Sequence, residues 1–513
     1  MATEHFGVRL NAIEVFRVTN RLFRPRRDKA GTGLLANLLF QVSRSQDKLK
    51  EELSEALKDR ATEAMNKVTS LAETIQAFFN SFSVLFGSGR IIEEKVRFQR
   101  EEMKGERWAQ VLAAKEDAIT ALAAFAHCLE QIAASLDKAG EDIEDGPELQ
   151  RDIQAQALVI RELMTNIEFV LAAEDENHVY WAEATQRRDL EYEICAAPID
   201  IGAMMAQHFY GKKKSVIFSS ATLTVGGRFD FVAGRLGANQ IDKQRFRALS
   251  VGSSFDFNRQ ALLCIPNFLP DPGDGEGKFE EDLTDLLKDM LVASQGRALV
   301  LFTSYSMLNQ VYPDVKEYLE NEGILVLGQG KDGTRTALLE TFKRDVSSVL
   351  LGTQSFWEGI DVVGEALSCL VIAKLPFAVF TDPIIKARCE RLEAQGTDSF
   401  YGYSVPTAVI KLRQGFGRLI RTKADRGVVV VTDKRVLTRR YGSQFLRSLP
   451  AKHRVFLSKE GLVKAVASFL APSSSPSSSS STNSSPPSPP SPTKGEGERH
   501  GHPSTRDGRA TGE

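Results

Sequence analysis

The stretch 413-RQGFGRLIRTKADRGVVVV-431 joins a segment of helical periodicity to a run of four valines. Six apolar residues fall on one face of a helix that turns by about 100° per residue: Val405, Val409, Leu412, Phe416, Leu419 and Ile420. Ser404 and Pro406 stand where an N-cap and an early helical proline are expected. The valine run is typical of a strand buried on both faces of a parallel sheet. The stretch therefore predicts a helix that leads into a central strand of an α/β fold.

The same predicted helix has a polar face. Gln414, Arg418 and Arg421 are spaced i, i+4 and i+7, which places them within a sector of about 60°. Two neighbouring guanidinium groups repel each other unless an anion lies between them, and their planar donors suit phosphate oxygens. The two intervening glycines each cost about 1 kcal/mol in a helix, and they allow another backbone to approach closely. Residues 411–447 hold eleven Lys or Arg and two Asp, so we favour an anion-binding surface over a solvated helix face.

The whole chain is long enough for two to four domains, and its overall charge does not identify a partner. It has 513 residues, with 65 Lys or Arg against 67 Asp or Glu. The five cysteines form no C-x-x-C pair and fit neither a zinc site nor a disulfide framework, so we expect no metal site and a cytoplasmic location. No apolar run approaches the roughly 20 residues that span a bilayer, and the N-terminus does not resemble a signal peptide. We therefore expect no membrane partner.

The pattern of apolar residues changes along the chain. Residues 42–170 have helical spacing with charged faces between, which predicts an antiparallel helical bundle. After residue 178, strand patterns alternate with helical ones, which predicts an α/β fold with a parallel sheet covered on both faces. The predicted strands are 215–220, 261–266, 297–304, 323–328, 348–353, 368–376 and 427–433. From residue 471 the chain is rich in Ser and Pro, which predicts a disordered tail.

Polar segments follow several of these predicted strands, at the edge of a parallel sheet where ligands bind. They are 220-SATL-223, 303-TSYSML-308 and 352-GTQSFWEGIDVVG-364. The third is the most specific, because Phe356 and Trp357 directly precede two carboxylates, Glu358 and Asp361.

The motifs SATL, LFTSY, GTQSFWEGID and QGFGRLIR occur in that order in one α/β region. This order resembles the C-terminal part of an ATP-dependent DNA helicase of the XPD/DinG group in superfamily 2. The resemblance covers residues 1 to about 470. Further matches are 178-HVYWAE-183, 196-AAPIDIG-202, 252-GSSFDF-257, 374-KLPF-377 and 433-DKR-435.

The resemblance implies two RecA-like motor domains with ATP bound between them, and a helical Arch-like insertion. The implied layout is a remnant of the first motor domain at 1–30, an Arch-like insertion at 31–172, the end of the first motor domain at 173–240, the second motor domain at 241–470 and the tail at 471–513. It also implies single-stranded DNA and DNA junctions as partners, 5′→3′ movement and a role in DNA repair.

The resemblance implies a role for each motif residue. Arg418 and Arg421, with Gln414, would act on the ATP phosphates as the catalytic set. Glu358, Gly359 and Asp361 would sense the nucleotide, and Ser220, Ala221 and Thr222 would couple hydrolysis to domain movement. The residues implied to border DNA are Thr303, Ser304, Tyr305, Thr353, Phe356 and Trp357.

The sequence departs from this family at the phosphate site. It contains no G-x-x-x-x-G-K-[ST] loop, and 175-DENH-178 follows the helical block rather than preceding it, so we do not interpret it as a DEAH box. We expect that the chain starts downstream of the true DEAH box and carries half of a site for ATP and Mg²⁺. The four cysteines that hold a [4Fe–4S] cluster in many relatives would also lie upstream.

Three hypotheses remain open from the sequence. The first is a helicase fragment that is inactive in ATP hydrolysis by itself. The second is a non-catalytic module that binds nucleic acid or a partner and works with a separate chain, such as a missing N-terminal motor half. The third, an unrelated α/β transferase, does not predict the observed order of motifs.

Overall fold

The computed structural model describes residues 6–26, 29–87, 93–186, 189–273, 277–357, 362 and 364–471. The described residues up to Leu470 belong to one compact unit. The predicted disorder of the tail concerns residues that lie outside the described part, apart from Ala471.

Helices dominate the N-terminal third, as the periodicity predicted. They are α1 (Ala12–Leu22), α2 (Leu34–Arg44), α3 (Glu51–Ser81), α4 (Glu106–Ala139) and α5 (Gly146–Ala172). Their apolar faces form a common core in which Leu57, Leu122 and Ile153 are fully buried. The long helix α4 packs against both α3 and α5, so it forms the centre of the bundle.

The helical segment Glu106–Asp142 is long and apolar enough to span a bilayer, by length and composition alone. This corrects the expectation that no segment approaches that length. Half of its most apolar window is buried inside the protein. The core helix of a bundle meets the same criterion, and the packing of α4 between two other helices gives it that position.

The bundle rests on an antiparallel sheet that the sequence did not predict. Six strands lie in this part of the chain: β1 (Val8–Asn11), β2 (Arg24–Arg26), β3 (Lys29–Thr32), β4 (Glu93–Phe98), β5 (His178–Gln186) and β6 (Leu190–Pro198). Four of them form one sheet in the order β1-β6-β5-β4, and β2 pairs with β3 as a separate ribbon. Strand β4 interrupts the block predicted to be helical, because its residues pair with those of β5.

The rest of the fold is built on a seven-stranded parallel sheet, which confirms the predicted RecA-like α/β class. Its strands are β7 (Ala261–Pro266), β8 (Ala298–Leu301), β9 (Val326–Gly328), β10 (Val349–Gly352), β11 (Cys369–Ile372), β12 (Gly427–Val431) and β13 (His453–Phe456). Their order is β13-β7-β12-β11-β8-β10-β9, and every neighbouring pair is parallel. Six of the seven predicted strands are therefore present, and β13 is an addition.

Helices cover both faces of this sheet. The helices that follow β6 are α6 (Asp230–Arg235), α7 (Phe257–Gln260), α8 (Lys278–Ala293), α9 (Tyr305–Asn321), α10 (Arg335–Arg344), α11 (Gln354–Trp357), α12 (Pro383–Ala394), α13 (Val405–Phe416), α14 (Arg435–Thr438), α15 (Gly442–Ser448) and α16 (Lys459–Leu470), besides a short turn at Gly202–Met204. Alternate residues of β12 enter opposite cores. Val429 packs in the core that contains α10 and α13, and Val430 packs in the core that contains α8, α9 and α16. This is why the strand has an unbroken valine run.

The prediction of a strand at 215–220, the one remaining predicted strand, is wrong. Residues 215–220 form no strand, and the side chains of Ile217 and Phe218 are 88% and 44% exposed. A strand needs a hydrogen-bonded neighbour, and none of the described strands lies beside this segment. Residues 215–220 therefore lie at the surface, although their apolar sequence is typical of a strand buried inside a sheet.

Candidate functional site

Helix α13 ends earlier than its periodicity predicted. Its last residue is Phe416, and the N–H of Gly417 closes the final turn on the carbonyl of Arg413 at 2.9 Å. Arg418 and Arg421 therefore lie in the turn beyond the helix, so the prediction that they share one helical face with Gln414 is wrong. All three of these polar side chains are half-buried.

The start of α13 also differs in detail from the prediction. Pro406 lies in the first turn, as predicted, but Ser404 makes no side-chain cap hydrogen bond. Instead, the π-helical turn Phe400–Ser404 runs directly into α13. The predicted apolar face is confirmed for Val405, Val409, Leu412 and Phe416, which are buried on α13. Its other two members, Leu419 and Ile420, are also buried but lie beyond the end of the helix.

Gly415 lies against the indole of Trp357. A Cβ atom at Gly415 would lie 3.0 and 3.1 Å from two carbon atoms of that ring. This distance is tighter than ordinary van der Waals contact, so the absence of a side chain lets α13 pack on α11. The predicted approach of another backbone is wrong in its partner, because the group that lies against Gly415 is an aromatic side chain.

The two aromatic residues implied to border DNA belong to the core of this structure. Phe356 is fully buried and Trp357 is 2% exposed. The indole Nε1 of Trp357 donates a hydrogen bond to the carbonyl of Phe302 at 3.4 Å. Both rings therefore have a packing role and offer no face to a nucleotide base in this arrangement. A position beside DNA stays a prediction for these two residues.

Asp425 organises the turn that carries Arg421. Its carboxylate accepts hydrogen bonds from the N–H groups of Arg421 at 2.8 Å and Thr422 at 2.7 Å, and from the Thr422 hydroxyl at 2.8 Å. From the other side, the side-chain amide of Gln260 donates to three backbone carbonyls of this turn. Asp425 and Gln260 were not predicted from the sequence. The T-x-x-D pattern at 422–425 could have indicated Asp425. No local pattern could have indicated Gln260, because it is distant from this turn in the sequence.

The ionisation of Asp425 provides a test of this turn. Burial opposes ionisation of the Asp425 carboxyl, but the hydrogen bonds from Arg421 and Thr422 outweigh it and hold its pKa below the ordinary value. The ionised Asp425 carboxylate therefore contributes fully to the stability of the folded protein above the ordinary pKa of aspartate, about 3.9. This contribution is lost as the pH falls through the lowered pKa.

We expect Asp425→Ala to lower the free energy of unfolding by about 1 kcal/mol at neutral pH, since it removes hydrogen bonds at a partly exposed turn. Urea unfolding measures this, and the difference from the unmodified protein should shrink below about pH 4. A difference that persists unchanged at lower pH would contradict the role given to the carboxylate. Lys423→Ala, which changes an exposed side chain of the same turn and leaves the carboxylate in place, serves as the control.

Arg413 joins the SATL segment to α13. Its Nη2 donates to the carbonyl of Ala221 at 2.7 Å, and its Nη1 donates to the carbonyl and hydroxyl oxygens of Thr224 at 2.7 and 2.8 Å. Burial lowers the pKa of its guanidinium group. Arg413 was not predicted as a functional residue, although it opens the stretch that decides the fold. Through Arg413, the SATL segment lies at the C-terminal part of the helix that precedes Arg418.

The SATL residues themselves are accessible. Ser220 and Ala221 are exposed and Thr222 is half-buried. The hydroxyl of Ser220 accepts a hydrogen bond from the N–H of Thr222 and lies 3.2 Å from its hydroxyl. These contacts hold the local turn, and the predicted coupling role of these residues stays a prediction.

We expect Arg413→Ala to release the SATL segment. Charge-assisted hydrogen bonds contribute about 1.5–3 kcal/mol each, so proteolysis within residues 213–224 should become at least about tenfold faster. Limited proteolysis followed by mass spectrometry measures this rate. The exposed residue Arg440 offers a control, since Arg440→Ala should leave the cleavage rate unchanged. Equal rates in Arg413→Ala and the unmodified protein would refute this role.

Gln329 connects two of the other predicted motifs. Its side-chain carbonyl accepts from the N–H of Thr353 at 2.7 Å and from the Thr353 hydroxyl at 3.1 Å. Its amide donates to the hydroxyls of Tyr305 and Ser355. Thr353 is buried and Tyr305 is exposed. Gln329 was missed by the sequence analysis, although it directly follows strand β9 at the edge where ligands bind.

The remaining motif residues lie at the same edge of the sheet or outside the described part of the chain. Ser304 is exposed and caps α9, since its hydroxyl accepts from the N–H of Met307 at 3.3 Å. Thr303 is half-buried. The acidic part of the GTQSFWEGID motif, Glu358, Gly359 and Asp361, lies outside the described residues, so its predicted role in sensing nucleotide stays a prediction.

Asp175 and His178, from the DENH tetrapeptide, are engaged in a local turn. The Oδ2 atom of Asp175 lies 2.7 Å from Nδ1 of His178, and its Oδ1 atom accepts from the N–H of Asn177. These contacts give the tetrapeptide a structural role at the start of β5, in agreement with its rejection as a DEAH box.

The described residues offer no set of ligands suited to an iron–sulfur cluster. All five cysteines are buried, and the one group of three potential metal ligands found in the described ranges contains a single cysteine: Glu183, Glu193 and Cys195. Both carboxylates already form ion pairs with Arg9. A positive charge at this position disfavours a cation, so we assign no metal to it.

Three comparisons with known proteins bear on this site. The family model described as Helicase C-terminal domain matches residues 287–452. The chain is 38% identical over 277 residues to "ATP-dependent DNA helicase YoaA" of Haemophilus influenzae, a match that covers 54% of this chain and 41% of that protein. It is 35% identical over 279 residues to "3'-5' exonuclease DinG" of Bacillus subtilis, covering 54% of this chain and 30% of that protein. A solved structure described as "XPD_Helicase" matches 88% of this chain and 66% of that chain, at 13% identity and a TM-score of 0.45.

The matches to the two curated relatives span less than half the length of those proteins. The family match begins within α8 and ends just before β13. It therefore contains the LFTSY, GTQSFWEGID and QGFGRLIR motifs, whereas SATL and the helical bundle lie outside it.

Proposed function

We propose that this chain, whose resemblance to superfamily 2 helicases of the XPD/DinG type is confirmed by the family model and the curated relatives, is the C-terminal motor part of an ATP-dependent DNA helicase. It would couple ATP hydrolysis to movement along single-stranded DNA and to the unwinding of duplexes. The observation that supports this most is the contact of Arg413 with Ala221 and Thr224, which holds the SATL segment beside the helix that precedes Arg418.

The proposed domains follow the layout that the resemblance implies. Segments 1–30 and 173–240 belong to the first motor domain, 31–172 is the Arch-like insertion and 241–470 is the second motor domain. Strand β1 pairs with β6, which supports the assignment of the first two segments to one domain. All seven strands of the parallel sheet lie in the proposed second motor domain.

Arg418 and Arg421 supply positive charge to the phosphates of ATP in this proposal. Guanidinium groups stabilise the charge that spreads over the equatorial oxygens of a transferring phosphoryl group. The hydrogen bonds of Asp425 and Gln260 hold the backbone of the turn that begins at Arg421 in one conformation. Gln414 lies in the last turn of α13, close in sequence to both arginines, where its amide can orient a phosphate oxygen or the attacking water.

The residues present fit the arginine-bearing half of a site for ATP and Mg²⁺. The glycine loop that would hold the β- and γ-phosphates does not occur in the 513 residues. The pair Asp175-Glu176 is not interpreted as the Asp-Glu pair that would hold Mg²⁺, because Asp175 is engaged in the turn before β5. We propose that a complementing first-motor segment supplies the loop and the pair, either from the same gene or from a separate chain.

An exposed apolar surface supports such a complementing segment. Ile217, Leu249 and Val251 are between 81% and 88% exposed. The first two also line a mainly apolar cavity of about 520 Å³. Exposed apolar area of this kind marks a surface that another polypeptide covers. The segment 215–218 has a strand-like sequence without a partner among the described strands, so a sheet from the complementing segment would bury it.

The proposed partner is single-stranded DNA, and the proposed substrates include DNA junctions. The proposed process is DNA repair, and the proposed location is the cytoplasm. Tyr305 and Ser304 are exposed at the edge of the sheet, and Gln329 ties Tyr305 to Thr353. An exposed aromatic ring beside polar groups can stack on a base of a single strand.

ATP hydrolysis with and without single-stranded DNA tests this proposal. Residues 1–513 alone should show no DNA-stimulated hydrolysis, and addition of a segment with the glycine loop and the acidic pair should restore it. The DNA just upstream of codon 1 is the first place to look for such a segment. Hydrolysis by pure 1–513 would disprove the division of the site into two halves.

A second candidate is a non-catalytic module that binds nucleic acid. The excess of Lys and Arg in residues 411–447 favours it. It predicts binding of single-stranded DNA without hydrolysis even after the complementing segment is added, so the same assay separates the two candidates.

A further inference from the structure

A second cavity, lined by several arginines, lies near the N-terminal end of α13. It has a volume of about 430 Å³ and is bounded by the segment that follows β6, by α6, by α12 and by Tyr403. Three arginines line it: Arg235, Arg388 and Arg391. Two carboxylates, Asp200 and Asp230, also line it, so guanidinium groups outnumber the acidic groups.

Two of the guanidinium groups crowd around one aromatic ring. Arg235 lies over the ring of Tyr403 with its Cζ 5.2 Å from the ring centroid, and the Cζ of Arg388 lies 6.0 Å from the same centroid. Arg388 also donates to the carbonyl of Ile199 at 2.7 Å and to the Tyr403 hydroxyl at 3.2 Å. Burial and the neighbouring charge of Arg235 lower the pKa of Arg388, although the charge of Asp200 acts in the opposite sense. Like charges held this closely favour the binding of an anion.

The two carboxylates of the cavity wall leave part of this positive charge unbalanced. Asp230 forms an ion pair with Arg228 at 2.6 Å, outside the set of arginines that line the cavity. Asp200 accepts a hydrogen bond from the N–H of Gly202 at 2.9 Å, and its charge offsets part of the positive charge of the cavity by acting on Arg388. Arg391 donates to the carbonyl of Glu176 and to the side-chain oxygen of Asn177, which are neutral acceptors, so its charge adds to that of the cavity.

This cavity is distinct from the arginine turn of the proposed ATP site. Tyr403 precedes α13 and Arg418 follows it. The helix has 12 residues, which at 1.5 Å per residue corresponds to about 18 Å. A ligand in the cavity cannot contact both ends of α13 unless it is an extended chain.

We propose that this cavity binds a phosphate group, supplied by the backbone of single-stranded nucleic acid or by a free nucleotide or polyphosphate. Guanidinium forks match phosphate oxygens in geometry and charge. The bound phosphate would neutralise the crowded guanidinium groups and link α12 to the segment that follows β6. The proposal concerns binding and does not depend on ATP hydrolysis.

Two variants test the site without removing the half-buried Arg388. Arg235→Ala deletes one guanidinium group, and Asn239→Asp places a negative charge in the cavity wall while keeping the side-chain shape. Circular dichroism establishes that each variant is folded. Arg259→Ala, at an exposed arginine outside the cavity, is the matched control. The probes are fluorescein-labelled oligothymidylate, followed by anisotropy, and inorganic pyrophosphate, followed by calorimetry.

We expect both variants to weaken the binding of at least one probe by about three- to tenfold, with Arg259→Ala close to the unmodified protein. If oligothymidylate binding weakens, the phosphate comes from a nucleic-acid backbone, and Arg235→Ala should reduce the slope of log K against log salt by about 0.7. If only pyrophosphate binding weakens, the source is a free nucleotide or polyphosphate.

Two results would overturn the proposal. One is binding of both probes by the folded variants as tightly as by the unmodified protein. The other is failure of the unmodified protein to bind either probe. A chain that binds pyrophosphate here but no oligothymidylate would retain this site while contradicting the proposed function.

Discussion

Arg418→Ala should lower the rate of DNA-stimulated ATP hydrolysis by about a thousandfold or more, once the complementing segment with the phosphate loop is present. An arginine that stabilises the transferring phosphoryl group contributes a factor of this size to kcat. Because Arg418 lies in the turn beyond α13, its truncation leaves the hydrogen bonds of that helix in place, and the loss falls on hydrolysis. Steady-state hydrolysis at saturating single-stranded DNA measures it.

Lys423→Ala is the matched control for this experiment. Lys423 is exposed in the adjacent turn, and its loss removes one positive charge from the same basic segment. It should leave kcat within about twofold, because a surface charge away from the phosphates changes association more than the chemical step. Equal losses in Arg418→Ala and Lys423→Ala would show that the basic segment acts through general charge alone.

Trp357→Ala should lower the free energy of unfolding by about 3–5 kcal/mol, the usual cost of truncating a large aromatic side chain in a packed core. The indole packs against Gly415 in the core that also contains strand β8. A cavity would remain after truncation, because Gly415 has no side chain that could fill the space. Chemical denaturation measures the loss, and a change below about 1 kcal/mol would contradict this packing role.

Trp357→Phe separates packing from nucleic-acid stacking. A phenyl ring keeps most of the core contacts, so we expect a smaller loss of stability and unchanged affinity for oligothymidylate. Stacking of one base on an aromatic ring contributes about 1–3 kcal/mol. A fall in affinity of about tenfold or more in the folded Trp357→Phe variant would therefore show that the ring reaches nucleic acid in another conformation.

Local periodicity predicted most of the fold correctly. The valine run and five other strands were visible because a strand buried on both faces is apolar at every position. The bundle helices were visible because their apolar residues recur at helical spacing. The four-stranded antiparallel sheet was not, because polar strands such as 93-EEKVRF-98 have no clear alternation and find their partners far away in the sequence.

The candidate site was predictable in its residue types and less so in its geometry. The order of the motifs pointed to the two arginines after α13 and to Gln414, and the glycines pointed to a close approach. Spacing alone placed all three polar residues on one helix. The prediction of one shared helix was wrong, because hydrogen bonds around Gly417 and Asp425 end the helix and turn the chain. Arg413, Gln260 and Gln329 were missed, because their partners are groups that only tertiary folding brings near.

By itself, the sequence determined the class of the fold, the bundle and the order of the motifs along the chain, because these follow from short-range apolar patterns and from residue types. The tertiary structure decided which residues are exposed. It buried Phe356 and Trp357, since a large aromatic ring is stabilised more by a tight apolar core than by water. It left 215–220 without a strand partner, since pairing depends on a neighbour that no local pattern supplies. It also gathered the three arginines of the second cavity from distant parts of the chain, which no spacing rule could have shown.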